Sequence, residues 1–196
     1  SPEFLSGLQK VRLSTSSCQV YIGIREGATI PYIGDLLFTS TCPEYNTDAL
    51  LSRNISSRTY SVYYPEIRPG THKYSVVASM NARYEDWAKM TREEYRAAKK
   101  AMIEDTLAAL EQYIPELRSI CDYTEAATPL TFQRYTGHIQ GATFGSKFDG
   151  LRYSMELFKQ VGGLFHTGSV GIIMSGWLGA ANYGVITANE VDRYLN

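Results

Sequence analysis

A run of 30 residues without Lys, Arg, Asp or Glu, at positions 160–189, constrains this chain more than any other feature. Its pattern predicts a short apolar strand at 164–168, a glycine-rich turn and a long helix. Small residues recur every four positions along that helix, at Gly176, Ala180, Gly184 and Ala188. Residues four apart share a helix face, so they form a flat stripe on which another backbone can lie very close. We therefore expect this helix to pack against a partner that is missing from the 196 residues.

The same run is long enough to cross a bilayer, but its composition argues against that. It contains His166, Asn182 and seven glycines, and it has few Leu, Ile, Val or Phe residues. The three cysteines, Cys18, Cys42 and Cys121, lie far apart and form no CxxC motif, which is typical of a reducing compartment. We therefore expect a cytoplasmic protein whose only membrane association is peripheral.

Composition narrows the class of protein further. The formal charge of -1 gives no electrostatic basis for nucleic-acid binding, and a hydrophobic content of 44% excludes a disordered chain. Residues 1–4 (Ser-Pro-Glu-Phe) look like a remnant of tag cleavage and cloning, so we exclude them and expect a piece of a longer protein.

Alternating residues predict strands over 17–24, 58–64 and 73–80, and a short apolar run predicts another over 36–40. The second and third of the alternating strands form a hairpin with a turn at Pro69-Gly70. A further strand is predicted over 122–127, before a segment, 128–141, whose proline and glycines predict mostly loop.

Between these strands the period changes from two to that of a helix. Thr91 and Glu94 form a capping box, and apolar residues follow at helical spacing to about Tyr113. Strands, then helices, then a strand, a glycine turn and a long helix give an α+β fold. We expect a mainly antiparallel sheet with helices on one face.

The turn at 168–171, Gly-Ser-Val-Gly, is the best candidate for a ligand site. Glycines let a ligand approach the backbone, and the start of a helix offers free N–H groups. A tight connection between strand and helix explains the same pattern. No GxGxxG or Walker A motif occurs in the sequence.

Other candidate side chains are scattered along the chain. The hairpin tyrosines Tyr60, Tyr64 and Tyr74 either line an apolar pocket or fill the core. Arg134 and Tyr135 lie between a proline and a glycine, where an arginine either braces carbonyl groups or contacts substrate. The three histidines have no partners at metal-ligand spacing, so we expect no metal site, and no catalytic residue can be named.

Several segments together resemble the C-terminal part of the phytoene desaturase and carotenoid isomerase-like family of FAD-dependent oxidoreductases. The resemblance rests on SSCQVYIG at 16–23, YEDW at 84–87, ATPLTFQRYTG at 127–137 and the segment 164–181 with Ser175-Gly176 opening its helix. It covers nearly the whole chain after residue 4.

The resemblance implies two parts: a substrate-binding domain at 5–160, and at 161–196 the last strand and helix of a dinucleotide-binding domain whose N-terminal part is absent. It implies that Gly168, Ser169, Gly171 and Ile172 lie along FAD, that the stripe on the last helix receives the missing region, and that a tyrosine-rich sheet takes an apolar substrate.

The function expected from the resemblance is desaturation, saturation or isomerisation of a carotenoid- or lipid-like substrate by the full-length parent. The isolated chain would hold no FAD, would be inactive, and would form homo-oligomers through its uncovered helix. The alternative is a non-catalytic module of the same fold that binds an apolar ligand or a protein.

Overall fold

The computed structural model describes residues 1–67, 70, 72–171 and 173–196. Five antiparallel strands form one sheet in the order β2-β3-β4-β1-β5. The strands are β1 (Ser16–Ile24), β2 (Leu36–Ser40), β3 (Ser57–Tyr63), β4 (Ser75–Ala82) and β5 (Cys121–Ala127). The helices are α1 (Pro2–Leu8), α2 (Thr47–Leu51), α3 (Glu85–Ala88), α4 (Arg92–Leu110), α5 (Leu117–Ile120), α6 (Pro129–Thr136), α7 (Asp149–Met155), α8 (Leu157–Gln160) and α9 (Gly176–Leu195).

The predicted alternation is confirmed in β1, the central strand between β4 and β5. Its even-numbered residues, from Cys18 to Ile24, are buried, and the odd-numbered ones are only partly covered. Val20 lies opposite Ala78 of β4 and Ala126 of β5, so small side chains flank it on both sides. One face of the sheet therefore carries the core, as expected for an antiparallel sheet covered on one side.

The predicted hairpin is formed by β3 and β4, with Tyr60 opposite Ala78 and Val62 opposite Val76. Pro69, in the predicted turn, lies outside the described residues. At the free edge beyond β3, the short strand β2 has neither face buried, and its Leu36 and Phe38 are exposed.

Helix α4 begins at the predicted capping box. The Glu94 N–H donates to Thr91 Oγ1 at 3.3 Å, and the Thr91 N–H donates to Glu94 Oε2 at 2.8 Å. The buried side chains of α4 belong to the core that covers the sheet: Met102, Thr106, Leu107 and Leu110. The α+β fold with helices on one face is thus confirmed.

The structure corrects two local predictions. The 128–141 segment contains helix α6, which has Pro129 in its first turn and ends at Gly137 with φ +73°. The residues predicted as a strand, 164–168, form no strand ladder; an isolated bridge joins Val170 to Met174 instead. Along the chain this segment lies between α8 and α9, and none of the five strands pairs with it, so it lacks the neighbouring strand that a ladder requires.

Among the described residues, no helix is both long enough and apolar enough to cross a bilayer.

Candidate functional site

The glycine turn is closed on its inner side and open on its outer side. A Cβ at Gly171, which has φ +59°, would lie 3.3 Å from the Phe148 Cα. The Ser169 carbonyl oxygen lies only 2.3 Å from the position of a Cβ on Gly145, so a side chain there is excluded. Gly168, with φ +128°, has no atom within 4 Å of a Cβ position. A ligand could therefore approach the backbone at Gly168, whereas Gly171 faces the protein, and Ile172 lies outside the described residues.

Next to the turn lies a cleft of about 540 Å³ that we call the apolar groove. Its lining residues are Phe4, Leu8, Val11, Leu13, Gly137, His138, Ile139, Ala142, Gly145, Ser146, Gly150, Tyr153, Ser154, Leu157, His166, Ser169 and Val170. None of these lining residues is Asp, Glu, Lys or Arg. The volume is within the range of about 300–1,000 Å³ of small-molecule sites, and the walls are mostly apolar with a few polar groups, as in such sites.

A second cleft, of about 720 Å³, lies on the other side of the same wall, and we call it the charged cleft. It is lined by Asp149, Arg152, Glu156, Lys159 and Glu190 together with aromatic residues. Arg152 and Glu156 form an ion pair at 3.2 Å. The two neighbouring clefts thus differ sharply in charge.

Three side chains form a hydrogen-bonded chain in the wall between the clefts. His166 Nδ1 lies 2.6 Å from Ser154 Oγ, which lies 2.6 Å from the Tyr183 hydroxyl oxygen. Tyr183 is the buried residue of α9, and Ser154 belongs to α7. These hydrogen bonds were not predicted from the sequence, because side chains that are 12 and 29 positions apart follow no recognisable motif.

The five residues predicted to contact substrate fall in two places. Tyr60, Tyr64 and Tyr74 belong to the buried core of the sheet. The Tyr64 hydroxyl accepts a hydrogen bond from the Ile33 N–H at 2.9 Å, and the Tyr74 hydroxyl donates to the Glu66 carboxylate. The other two, Arg134 and Tyr135, are exposed near the end of α6, with the guanidinium 5.6 Å from the tyrosine ring.

The pKa values of the buried Tyr60 and Cys18 side chains are those expected for groups packed in the core. Burial raises the pKa of Tyr60 to about 12, and the nearby Arg58 opposes that shift. Burial also raises the pKa of the Cys18 thiol to about 12, so this cysteine carries no thiolate at neutral pH. The hydrogen bond between Tyr74 and Glu66 raises the pKa of the phenol and lowers that of the carboxyl group.

Within the part of the chain that the structure describes, no three His, Cys, Asp or Glu side chains form a cluster that could hold a metal ion.

Comparison with known proteins gives one informative similarity. No family model matches the sequence. The chain is 27% identical over 139 residues to all-trans-retinol 13,14-reductase of Danio rerio, an alignment that covers 65% of this chain. It spans only 23% of the length of that reductase. The chain is similar to part of an oxidoreductase. The name of that relative gives its substrate, an apolar polyene alcohol.

Proposed function

We propose that this chain is the substrate-binding domain (5–160) and C-terminal flavin-contacting segment (161–196) of a flavin-dependent oxidoreductase. The parent protein would desaturate, saturate or isomerise an apolar, carotenoid- or lipid-like substrate. The observation that carries the proposal is the similarity to a reductase of a polyene alcohol. The family resemblance of the segments 127–137 and 164–181 supports the same class of chemistry.

The apolar groove supports the substrate class. Its walls carry no formal charge, and Ser169 and Val170 of the glycine turn form part of them. A substrate in the groove would therefore lie beside the turn at which the resemblance places the flavin. Transfer of a hydride requires such close contact between substrate and cofactor.

Some residues of the glycine turn are placed where they could contact a flavin, and others are not. Gly168 leaves its backbone open, and Ser169 stands next to it, so these two would hold the edge of the cofactor. Gly171 packs toward Phe148 and supports the turn from inside. When bound, the flavin supplies the hydride chemistry, and the residues of this chain bind the substrate and keep water from it.

Most of the cofactor site would come from the dinucleotide-binding region that the resemblance requires. The stripe on α9 offers it a docking face: Gly184 has no atom within 4 Å of a Cβ position, and Trp177, on the same side of the helix, is 97% exposed. The same exposed face would let copies of the isolated chain associate.

Reconstitution tests this proposal. The purified chain should be colourless. Addition of the parent's GxGxxG-bearing region, in cis or as a separate polypeptide, should give a yellow protein with one flavin per chain. Ser169→Glu should weaken flavin binding at least tenfold, because it brings a carboxylate to the turn. Ser119→Glu, in α5, serves as the matched control and should leave flavin binding unchanged.

Two results would contradict the proposal. A stoichiometric flavin on this chain alone would overturn the division of the cofactor site. A full-length parent without flavin would favour the second candidate, a non-catalytic module that binds an apolar ligand. The second candidate is supported by one observation: apart from Phe4, which belongs to the excluded residues 1–4, the apolar groove is lined by residues of this chain alone.

A further inference from the structure

Residues 164–167, which we call the lead segment, come directly before the glycine turn and belong to no strand ladder. Side-chain contacts hold this segment instead. The Phe165 ring stacks on Phe158 of α8, with 5.2 Å between the ring centroids and 11° between the planes. It also meets Tyr194 of α9 edge-on, at 5.5 Å between centroids. Phe165 is therefore packed between α8 and α9.

The second contact is the hydrogen-bonded chain from His166 through Ser154 to Tyr183. It joins the lead segment to α7 and to α9, where the Tyr183 side chain is 1% exposed. The backbone follows the same route, because Thr187 Oγ1 donates to the Tyr183 carbonyl oxygen at 2.9 Å and lies 3.5 Å from that of His166. Two consecutive residues of the lead segment are thus tied to three helices.

The glycine turn depends on the lead segment on one side only. On its far side, Val170 is 6% exposed, and its N–H donates to the Met174 carbonyl oxygen at 3.3 Å. On the near side, Gly168 follows His166 by two positions, and nothing packs against the position of a Cβ there. The conformation of the open side of the turn is therefore set by the segment that precedes it.

We propose that His166 and Ser154 are positioning residues that fix the open side of the glycine turn to α9 through Tyr183. The backbone at Gly168 and Ser169 is then held in the conformation that receives the edge of the cofactor. The inference rests on the proposed function for the identity of the ligand, a flavin. It rests on the two hydrogen bonds for the positioning itself, and neither side chain has to touch the flavin.

The position of the hydrogen-bonded chain gives it a second consequence. Gly184, in the proposed docking face of α9, follows Tyr183 directly in the sequence. One helix would therefore hold both the glycine turn and the dinucleotide-binding region, and with them the two ends of the cofactor. A turn that already has its bound conformation loses less entropy when a ligand binds.

The first measurement uses the whole polypeptide without flavin and follows amide hydrogen exchange of Val170 by NMR. Ser154→Ala breaks the hydrogen-bonded chain in its middle and should make this exchange about fivefold faster, as the loss of one net hydrogen bond allows. Ser119→Ala, in α5, removes a hydroxyl that donates to the Glu116 carbonyl oxygen at 2.8 Å. It is the matched control and should leave the rate unchanged. Amides of β1 should exchange equally in all three proteins.

The second measurement is the dissociation constant of flavin from the reconstituted protein. His166→Leu should raise it about fivefold. His166→Asn should bind like the unmodified protein, because an asparagine amide can place either its oxygen or its NH₂ group near the position of Nδ1 and so restore the contact with Ser154. The double variant S154A/H166L should bind no more weakly than the weaker of the two single variants, since both substitutions break the same hydrogen bond.

The outcomes separate this inference from the proposed function. An unchanged Val170 rate in Ser154→Ala, an equal increase at β1, or a His166→Asn variant as weak as His166→Leu would overturn the positioning role even if the reconstituted protein is yellow. Effects that multiply in the double variant would show that the two residues act separately, which also contradicts it. A flavin-free parent would overturn the flavin as the ligand, whereas faster Val170 exchange in Ser154→Ala would still sustain the support of the turn.

Discussion

Helices α4 and α9 have nearly the same length, 19 and 20 residues, and opposite relations to the rest of the molecule. Helix α4 is rich in charges, yet it buries four side chains against the sheet. Helix α9 has no charged residue before Glu190, yet only Tyr183 is buried. The content of apolar residues therefore does not decide which helix belongs to the core. What matters is whether another element faces the apolar side of the helix.

The two helices also differ in the ion pairs that their side chains form. Beside α4, Arg58 of β3 is almost completely buried and pairs with Asp105. On α9, Arg193 pairs with Glu190 in the same helix, and the Arg193 side chain is 73% exposed. The ion pair beside α4 thus joins distant parts of the chain, whereas the one on α9 is local to the helix. The following predictions test whether substitutions near α4 lower the free energy of unfolding more than substitutions on α9.

The largest contrast is expected between two leucines. Leu110→Ala removes a fully buried side chain and should lower the free energy of unfolding by about 2–5 kcal/mol. Leu178→Ala, at a position 86% exposed on α9, should change it by less than about 0.5 kcal/mol. Denaturant unfolding measures both. Equal losses would mean that α9 is packed as tightly as α4, and the comparison would fail.

A pH titration tests the core through Tyr60. Its pKa is about 12 in the folded protein and about 10 in an unfolded chain, so the unfolded state loses the proton first as pH rises. The stability that neutral Tyr60 provides is complete below pH 10 and should decline by about 2–3 kcal/mol toward pH 12. In Tyr60→Phe the decline should be smaller by this amount but not absent, because other tyrosines with raised pKa values, such as Tyr21 and Tyr74, remain. Unfolding curves of the two proteins that stay parallel from pH 9 to 12 would contradict the burial of Tyr60.

The ion pairs offer the next contrast. Asp105→Ala leaves the guanidinium of Arg58, only 7% exposed, without its carboxylate and should cost about 2 kcal/mol. Arg193→Ala breaks an exposed pair on α9 and should cost less than about 0.5 kcal/mol. Thermal unfolding of both variants checks the order. If Arg193→Ala is the more harmful, solvent exposure does not set the strength of these pairs.

The smallest effects concern two glycines in α9. A Cβ at Gly184 meets nothing within 4 Å, so Gly184→Ala should stabilise the isolated chain by about 0.5–1 kcal/mol. A Cβ at Gly179 would lie 2.8 Å from the Ile173 carbonyl oxygen, so Gly179→Ala should destabilise it. In the reconstituted protein, Gly184→Ala should weaken docking of the dinucleotide-binding region. A variant that docks normally would show that no backbone approaches α9 at this point.

Local patterns made much of the fold predictable. Alternation identified β1, β3 and β4, and the capping box at Thr91 identified the start of α4. Helix α6 was missed because Pro129 was taken to indicate a loop. Proline in the first helical turn and glycine at the end, here Gly137, are in fact helix boundary signals.

The candidate site was far less accessible to sequence reasoning. The glycine turn was recognised, but its inner and outer sides depend on Phe148 and Gly145, which meet it only through tertiary folding. The chain from His166 through Ser154 to Tyr183 joins three separate elements of the structure. No local periodicity or sequence motif predicts that these three side chains contact one another, because nothing within each separate segment marks its residue as part of a hydrogen-bonded chain.

The exposed edge at β2 affects how the protein behaves in concentrated solution. An edge strand presents unpaired N–H and C=O groups to any other extended chain, and Leu36 and Phe38 add apolar area there. At five residues, β2 allows only a short ladder with a second molecule, which limits the strength of such pairing. A lysine in place of Phe38 should therefore delay precipitation on storage without touching the core, the groove or the turn.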